Sequence, residues 1–190
     1  MLLEKAEANA PWPSRQPSIR KLTEAFLLLD PELTKSLSGA RRQHVTLSQV
    51  LLGAFTLTLT NIGPDGASET VVGVVRSGRS GSPEVASGIG LFIETSPLRI
   101  GSPRDVPVGQ CLRGIQAMSA EAETHGHLGL RAIQSLVLGS ENRRLFDALF
   151  VHENFPTQLE AVAFTDDLKL AAIRQFDGPN HPLELYVQHG

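Results

Sequence analysis

Ile89-Gly90-Leu91-Phe92-Ile93-Glu94-Thr95-Ser96-Pro97-Leu98-Arg99 is the stretch on which the fold of this chain turns. Its first part, residues 89–95, is a short apolar run and reads as a buried strand. Upstream, Thr70-Val71-Val72-Gly73-Val74-Val75 is β-branched and hardly alternates, which predicts a second strand with both faces covered. Between them, residues 76–83 are rich in glycine and serine and read as a loop. Further outward, Thr46-x-x-Gln49 has the spacing of a capping box. Leu47, Val50, Leu51, Ala54 and Leu57 or Thr58 then recur at helical spacing, predicting a helix that stops before Gly63-Pro64. Asp30-Pro31-Glu32 opens a shorter helix reaching about residue 40, preceded by a strand over 20–30.

Towards the C-terminus, residues 107–124 form an amphipathic pattern with Val108, Leu112, Ile115, Met118 and Ala122 on one face. Another helix is expected over 130–138, then strand-like runs at 145–151, 159–164, 168–176 and 183–187. Residues 1–19, with Pro11, Pro13 and Pro17 around Trp12, read as an irregular lead-in. This order predicts a mixed α/β (α+β) domain, its mixed β-sheet covered by helices drawn mainly from the first two thirds of the chain.

Composition narrows the partners. The 17 basic and 20 acidic residues of the 190 nearly cancel, and no basic run exceeds Arg41-Arg42, so neither nucleic acid nor an anionic membrane is expected. A single cysteine, Cys111, forms no internal disulfide and no multi-thiolate metal site, and with no export signal in the first residues a cytoplasmic setting is expected. The most apolar stretch, residues 45–59, is interrupted by Thr46, Ser48, Gln49, Thr56 and Thr58 and falls short of the ~20 residues a membrane span needs.

Three motifs come close to known chemistry and stop short. Gly73 to Ser80 resembles G-x-x-x-x-G-K-[ST], but Arg79 replaces the lysine, and Gly81 and Pro83 prevent a helix from starting at Ser80. The same segment fails the nucleophile-elbow spacing. His125 and His127 make a loose pair, with His152-Glu153 further on, and fall short of three or four placed ligands, so no metal is expected. Cys111 lies on the apolar side of its helix and reads as a small core residue.

Taken together, Gly78-Arg79 followed by Ile89–Arg99 resembles the G-R … I-G-x-F-[VI]-N-T-x-P-x-R stretch of condensation domains in nonribosomal peptide synthetases. Other segments fall in family order: Val45-Thr46-Leu47-Ser48 before a helix, Val72-Gly73 before the Gly-Arg, and His125-Gly126-His127-Leu128-Gly129-Leu130 similar to H-x-H-x-P-L. Leu145 to Pro156 is similar to L-F-D-T-L-[FV]-V-[FY]-E-N-Y-P, and His181-Pro182-Leu183-Glu184-Leu185 to Y-P-L-x-L. The matches span residues 20–188. The resemblance implies a chloramphenicol acetyltransferase-like fold, in which two lobes form a V around a tunnel where a carrier-bound acyl donor meets an amine acceptor. Residues 20–190 would be the C-terminal lobe, cut at both ends. The family's H-H-x-x-x-D-G, placed in the N-terminal lobe, is absent, since no two histidines are adjacent.

On that footing Arg79, Glu94, Thr95, Ser96, His127 and Asn154 are expected to line the tunnel or lobe interface, with no catalytic residue of their own. Glu94 departs from the family's asparagine, and a buried carboxylate without a partner is costly, so either Glu94 reaches a cation such as Arg79 or Arg99 or the lobe interface differs. Gly129 departs from the proline after His127. No directly bound cofactor is expected, because substrates would arrive on the 4′-phosphopantetheine of carrier proteins. Expected partners are the other lobe, peptidyl or acyl carrier domains, and a second copy through the exposed interface. Alone, the chain is expected not to condense two carrier-bound aminoacyl groups. The alternative is a free-standing, non-catalytic interaction module that binds a carrier domain or self-associates.

Overall fold

A computed structural model describes residues 23–39, 44–63, 68–80, 84–85, 88–101, 106–138, 144–153, 163–165, 168–169 and 179–188. Helix α1 (Pro31–Ser38) begins where the Asp-Pro signal places it, with Asp30 Oδ1 accepting from the Leu33 amide at 2.8 Å. Helix α2 (Leu47–Ile62) is capped by Thr46 Oγ1, which accepts from Gln49 N at 3.4 Å. The capping box is only half closed, because Gln49 Oε1 is buried without a hydrogen-bond partner. The buried face of α2 also differs from the expected one: Leu52, Phe55, Thr56 and Leu59 point inward, while Leu57 is exposed. This helix is apolar nearly all round, so periodicity alone did not fix its rotation. Thr56 is tolerated inside because its hydroxyl donates to the Gly53 carbonyl at 3.0 Å.

Strand β1 (Glu69–Ser77) pairs antiparallel with β2 (Ile93–Gly101), in a register that sets Val72 opposite Leu98, Val74 opposite Ser96 and Arg76 opposite Glu94. Helices α3 (Val108–Thr124) and α4 (Leu130–Leu138) then carry the chain to β3 (Ala148–Glu153), which lies parallel to β1 on its other side. A short antiparallel pair, β4 (Ala163–Thr165) and β5 (Leu168–Lys169), precedes β6 (Leu183–Gln188), which lies parallel to β3. The main sheet therefore runs β2-β1-β3-β6. Parallel neighbours require long crossovers, and α3 with α4 supplies the one between β1 and β3.

Each face of the sheet has its own core. On one face Leu52, Phe55 and Leu59 of α2 and Ile115 of α3 pack on Val72, Val74, Leu98, Ile100 and Phe150. On the other, Leu130, Ile133, Val137 and Leu138 pack against Leu145, Phe146, Leu149 and Val151, with Val71 and Val75. Helices on both faces are why β1 and β3 read as unbroken apolar runs. Burying each large apolar side chain contributes about 1.5–3 kcal/mol.

Three expectations are corrected. Residues 23–30 form no strand, and Phe26, Leu27 and Leu28 are 86–94% exposed, because no strand among the described residues lies beside them to complete a ladder. The strand expected over 89–95 starts at Ile93 and runs to Gly101, leaving Ile89 and Leu91 exposed. The polar backbone groups before Ile93 are taken by Arg79 and Gly78 instead of by a ladder. The strand expected over 145–151 is shifted to Ala148–Glu153, since buried Leu145, Phe146 and Asp147 precede the ladder. Most of residues 154–178, including most of the predicted strand over 168–176, lie outside the described residues, as does the lead-in 1–19.

Candidate functional site at the Arg79 loop and the end of the sheet

The end of the sheet nearest the candidate residues is built from the turn after β1. Ser77 closes the strand, and Gly78–Ser80 forms one turn of 3-10 helix. The Gly78 amide donates to the Phe92 carbonyl at 2.6 Å. A Cβ on Gly78 would lie 2.6 Å from Glu94 Oε1 and 2.7 Å from that carbonyl, so only glycine allows this approach. Arg79 folds back over its own loop: Nη1 donates to the carbonyls of Gly88 at 2.8 Å and Val85 at 3.2 Å, and Nη2 reaches that of Gly90 at 3.5 Å. Its guanidinium carbon sits 4.5 Å from the centroid of the Phe92 ring. Arg79 is thus a clamp on Val85, Gly88, Gly90 and Phe92. Beside these contacts Ile89 and Leu91, and then Ile93 at the start of β2, are exposed by 105%, 87% and 61%.

Glu94 stands one residue into β2, on the sheet face covered by α2 and α3. Its carboxylate lies between two glycines, since a Cβ on Gly126 would collide with Oε2 just as one on Gly78 would meet Oε1. Gly126 belongs to the turn that ends α3, and its amide donates to the Glu123 carbonyl at 3.1 Å. The cation facing Glu94 is neither Arg79 nor Arg99. Arg99 pairs with Glu69 at 2.6 Å, near the opposite end of the strand pair. Arg76 faces Glu94 instead, as its register partner in β1. Arg76 Nη1 donates to the Ser119 carbonyl of α3 at 2.6 Å. Burial pushes the Arg76 pKa below its ordinary value, a shift opposed by the charges of Glu123 and then Glu94.

The other expected residues divide. Ser96 is buried against the core opposite Val74, and Thr95 projects to the other face of the sheet, beside Val75. His127 is exposed in the turn, next to Gly126. Asn154 lies outside the described residues. The structure therefore brings Glu94, the turn bearing His127 and the Arg79 loop to one end of the sheet; Ser96 follows two residues along β2 on the same face as Glu94, and Thr95 lies on the opposite face. Arg76 was missed as a member of this group. Its signal was a charged residue ending an apolar strand, but only the register shows which carboxylate it meets.

A second polar cluster ties β6 to the turn before it. Glu184 Oε1 accepts from the amides of Asn180 at 2.8 Å and His181 at 3.0 Å, and Oε2 accepts from the Tyr186 hydroxyl at 3.0 Å. His181 Nδ1 lies 3.2 Å from the same Oε1, and its ring stacks on Phe146 with centroids 5.1 Å apart. Among the described residues no group of three or more His, Cys, Asp or Glu side chains is placed to hold a metal ion. No helix among them is long and apolar enough to cross a membrane. Cys111 is partly buried on α3, its thiol directed at the Val106 carbonyl 3.9 Å away.

Comparison with known proteins agrees with this architecture first as a fold. The condensation domain from Monacolin K polyketide synthase MokA superposes with a TM-score of 0.59 and 28% identity, over 80% of this chain and 36% of that one. The EpoB cyclization-docking bidomain of Sorangium cellulosum shares the fold, with a TM-score of 0.56 at 21% identity over 66% of this chain and 26% of its own. The condensation domain family model matches residues 3–182, so this chain belongs to the condensation domain family. It is 31% identical over 169 residues to a linear gramicidin synthase polypeptide of Brevibacillus parabrevis, a match spanning 88% of this chain and 2% of the relative. It is 32% identical over 164 residues to chondramide synthase cmdD of Chondromyces crocatus, spanning 85% of this chain and 4% of that relative.

Proposed function

We propose that this chain is the C-terminal lobe of a condensation domain of a nonribosomal peptide synthetase, with a chloramphenicol acetyltransferase-like fold. The observation that carries this reading is the family match over residues 3–182 of a chain that spans only 36% of a solved condensation domain. In the reaction proposed for the whole domain, the amine nitrogen of an acceptor attacks the thioester carbonyl of a donor. The C–N bond forms, the C–S bond breaks, and the proton lost by the amine balances the thiol released on the donor carrier. Both substrates would be held on the phosphopantetheine arms of carrier proteins, so this lobe needs no cofactor of its own.

The contribution of this lobe is shape. The Arg79 clamp, the Glu94 carboxylate and the His127 turn form an ordered rim at one end of the sheet, suited to a tunnel wall and to carrier docking. Alone, this lobe would not condense two carrier-bound aminoacyl groups. Sequencing the source DNA on both sides of the reading frame tests the proposal. An in-frame H-H-x-x-x-D-G upstream is the expected result. Stop codons immediately flanking both ends would overturn it, and would favour a stand-alone interaction module.

A further inference from the structure

We propose that Arg76 is a positioning residue: it supplies the counter-charge that lets a carboxylate occupy position 94, and through Glu94 it fixes the turn carrying His127 against the end of the sheet. Three observations meet here. Arg76 and Glu94 are direct partners across β1 and β2, on the same face of the sheet. Arg76 is anchored to α3 through the Ser119 carbonyl, which holds its guanidinium against that helix. The Glu94 carboxylate fills the space left by the missing side chains of Gly78 and Gly126, so its position and that of the α3 turn are set together.

The chemistry is asymmetric. Arg76 answers two carboxylates, Glu94 and Glu123, both of which act on its charge. Its Nη2 is buried with no hydrogen-bond partner, an uncompensated donor that adds to the cost of burying the guanidinium. Removing Arg76 takes from Glu94 the cation opposite it in the register, and takes from Glu123 a neighbouring positive charge, whereas neutralising Glu94 leaves Arg76 bonded to Ser119 and still near Glu123. This inference does not rest on the proposed activity.

The test is a double-mutant cycle on the full chain, read by urea unfolding and by the NMR signals of the Gly126 amide and the His127 ring. Arg76→Met is expected to lower the folding equilibrium constant about tenfold or more and to shift both signals. Glu94→Gln in the same chain is expected to restore most of that loss. Glu94→Gln alone is expected to cost little and still to move the Gly126 signal, with the His181 ring signal unchanged. Additive single effects, or a Gly126 signal unmoved by Glu94→Gln, would overturn the proposal. If Arg76→Met does not fold, recovery of folding in the double variant supports it, and failure of the double variant to fold rejects it. A purely packing role for Arg76 predicts no rescue by a change at position 94.

Discussion

Gly73 lies inside β1, on the face away from α2, where a Cβ would overlap the ring of Phe146. Phe146 is itself buried and stacked on His181, so it has nowhere to retreat without disturbing the turn before β6. Gly73→Ala is therefore expected to cost about 1–3 kcal/mol through overpacking, seen as a lower urea midpoint at unchanged m. Gly129→Ala, where a Cβ meets nothing within 4 Å, is the matched control and should leave the midpoint nearly unmoved. At this scale the sequence was only partly readable. The Val72-Gly73 pair was recognisable as family-like, but the reason for glycine is a ring more than seventy residues away. Glu94 was likewise visible as a departure from asparagine, yet the cation it meets is neither of the two candidates, Arg79 and Arg99, because strand register decides which charges face one another.

Among the elements, the loop between β1 and β2 shows most clearly how one side chain organises a segment. The guanidinium of Arg79 reaches the carbonyls of Val85, Gly88 and Gly90, and it covers Phe92. A lysine offers one compact ammonium and cannot reproduce that fork. Arg79→Lys and Arg79→Ala are both expected to speed limited proteolysis within residues 84–92 roughly tenfold, with global stability within about 0.5 kcal/mol of the parent. Equal cleavage of parent and variants would show that the clamp does not hold the loop. The helices and their boundaries were legible, because Asp30 and Thr46 announce their N-termini and Gly63-Pro64 a C-terminus. The start of β2 was not. Apolar residues 89–92 have the composition of a strand, and a single arginine side chain keeps them out of the ladder. The rotation of α2 was also hidden, since its apolar residues cover more than one face.

For the molecule as a whole, two carboxylates give stability opposite dependences on pH. Burial alone would raise the Glu184 pKa, but hydrogen bonds from the His181 amide, the Tyr186 hydroxyl, the His181 ring and the Asn180 amide hold it below its ordinary 4.5. Its contribution is therefore complete above that ordinary value and is lost as pH falls through the depressed one. Asp147 is raised by burial, against the pull of Arg144 and His181, so its ionised form is penalised in the fold and its sign is reversed. Glu184→Gln is expected to flatten the acid limb of a stability–pH curve below 4.5, measured by urea midpoints; an unchanged limb would remove Glu184 as its source. The mixed sheet with helices on both faces followed from the order of the predicted elements, while the gathering of Arg76, Glu94 and Gly126 required the pairing of β1 with β2 and the docking of α3. That pairing pattern also has a consequence in time. Val72 meets Leu98 soon after both are synthesised, but it meets Ala148 only after α3 and α4 have followed. During translation one edge of β1 stays open until β3 emerges, and such an edge is a template for a neighbouring nascent chain. The pace of synthesis between residues 101 and 148 thus governs how long the half-built sheet is exposed to others like itself.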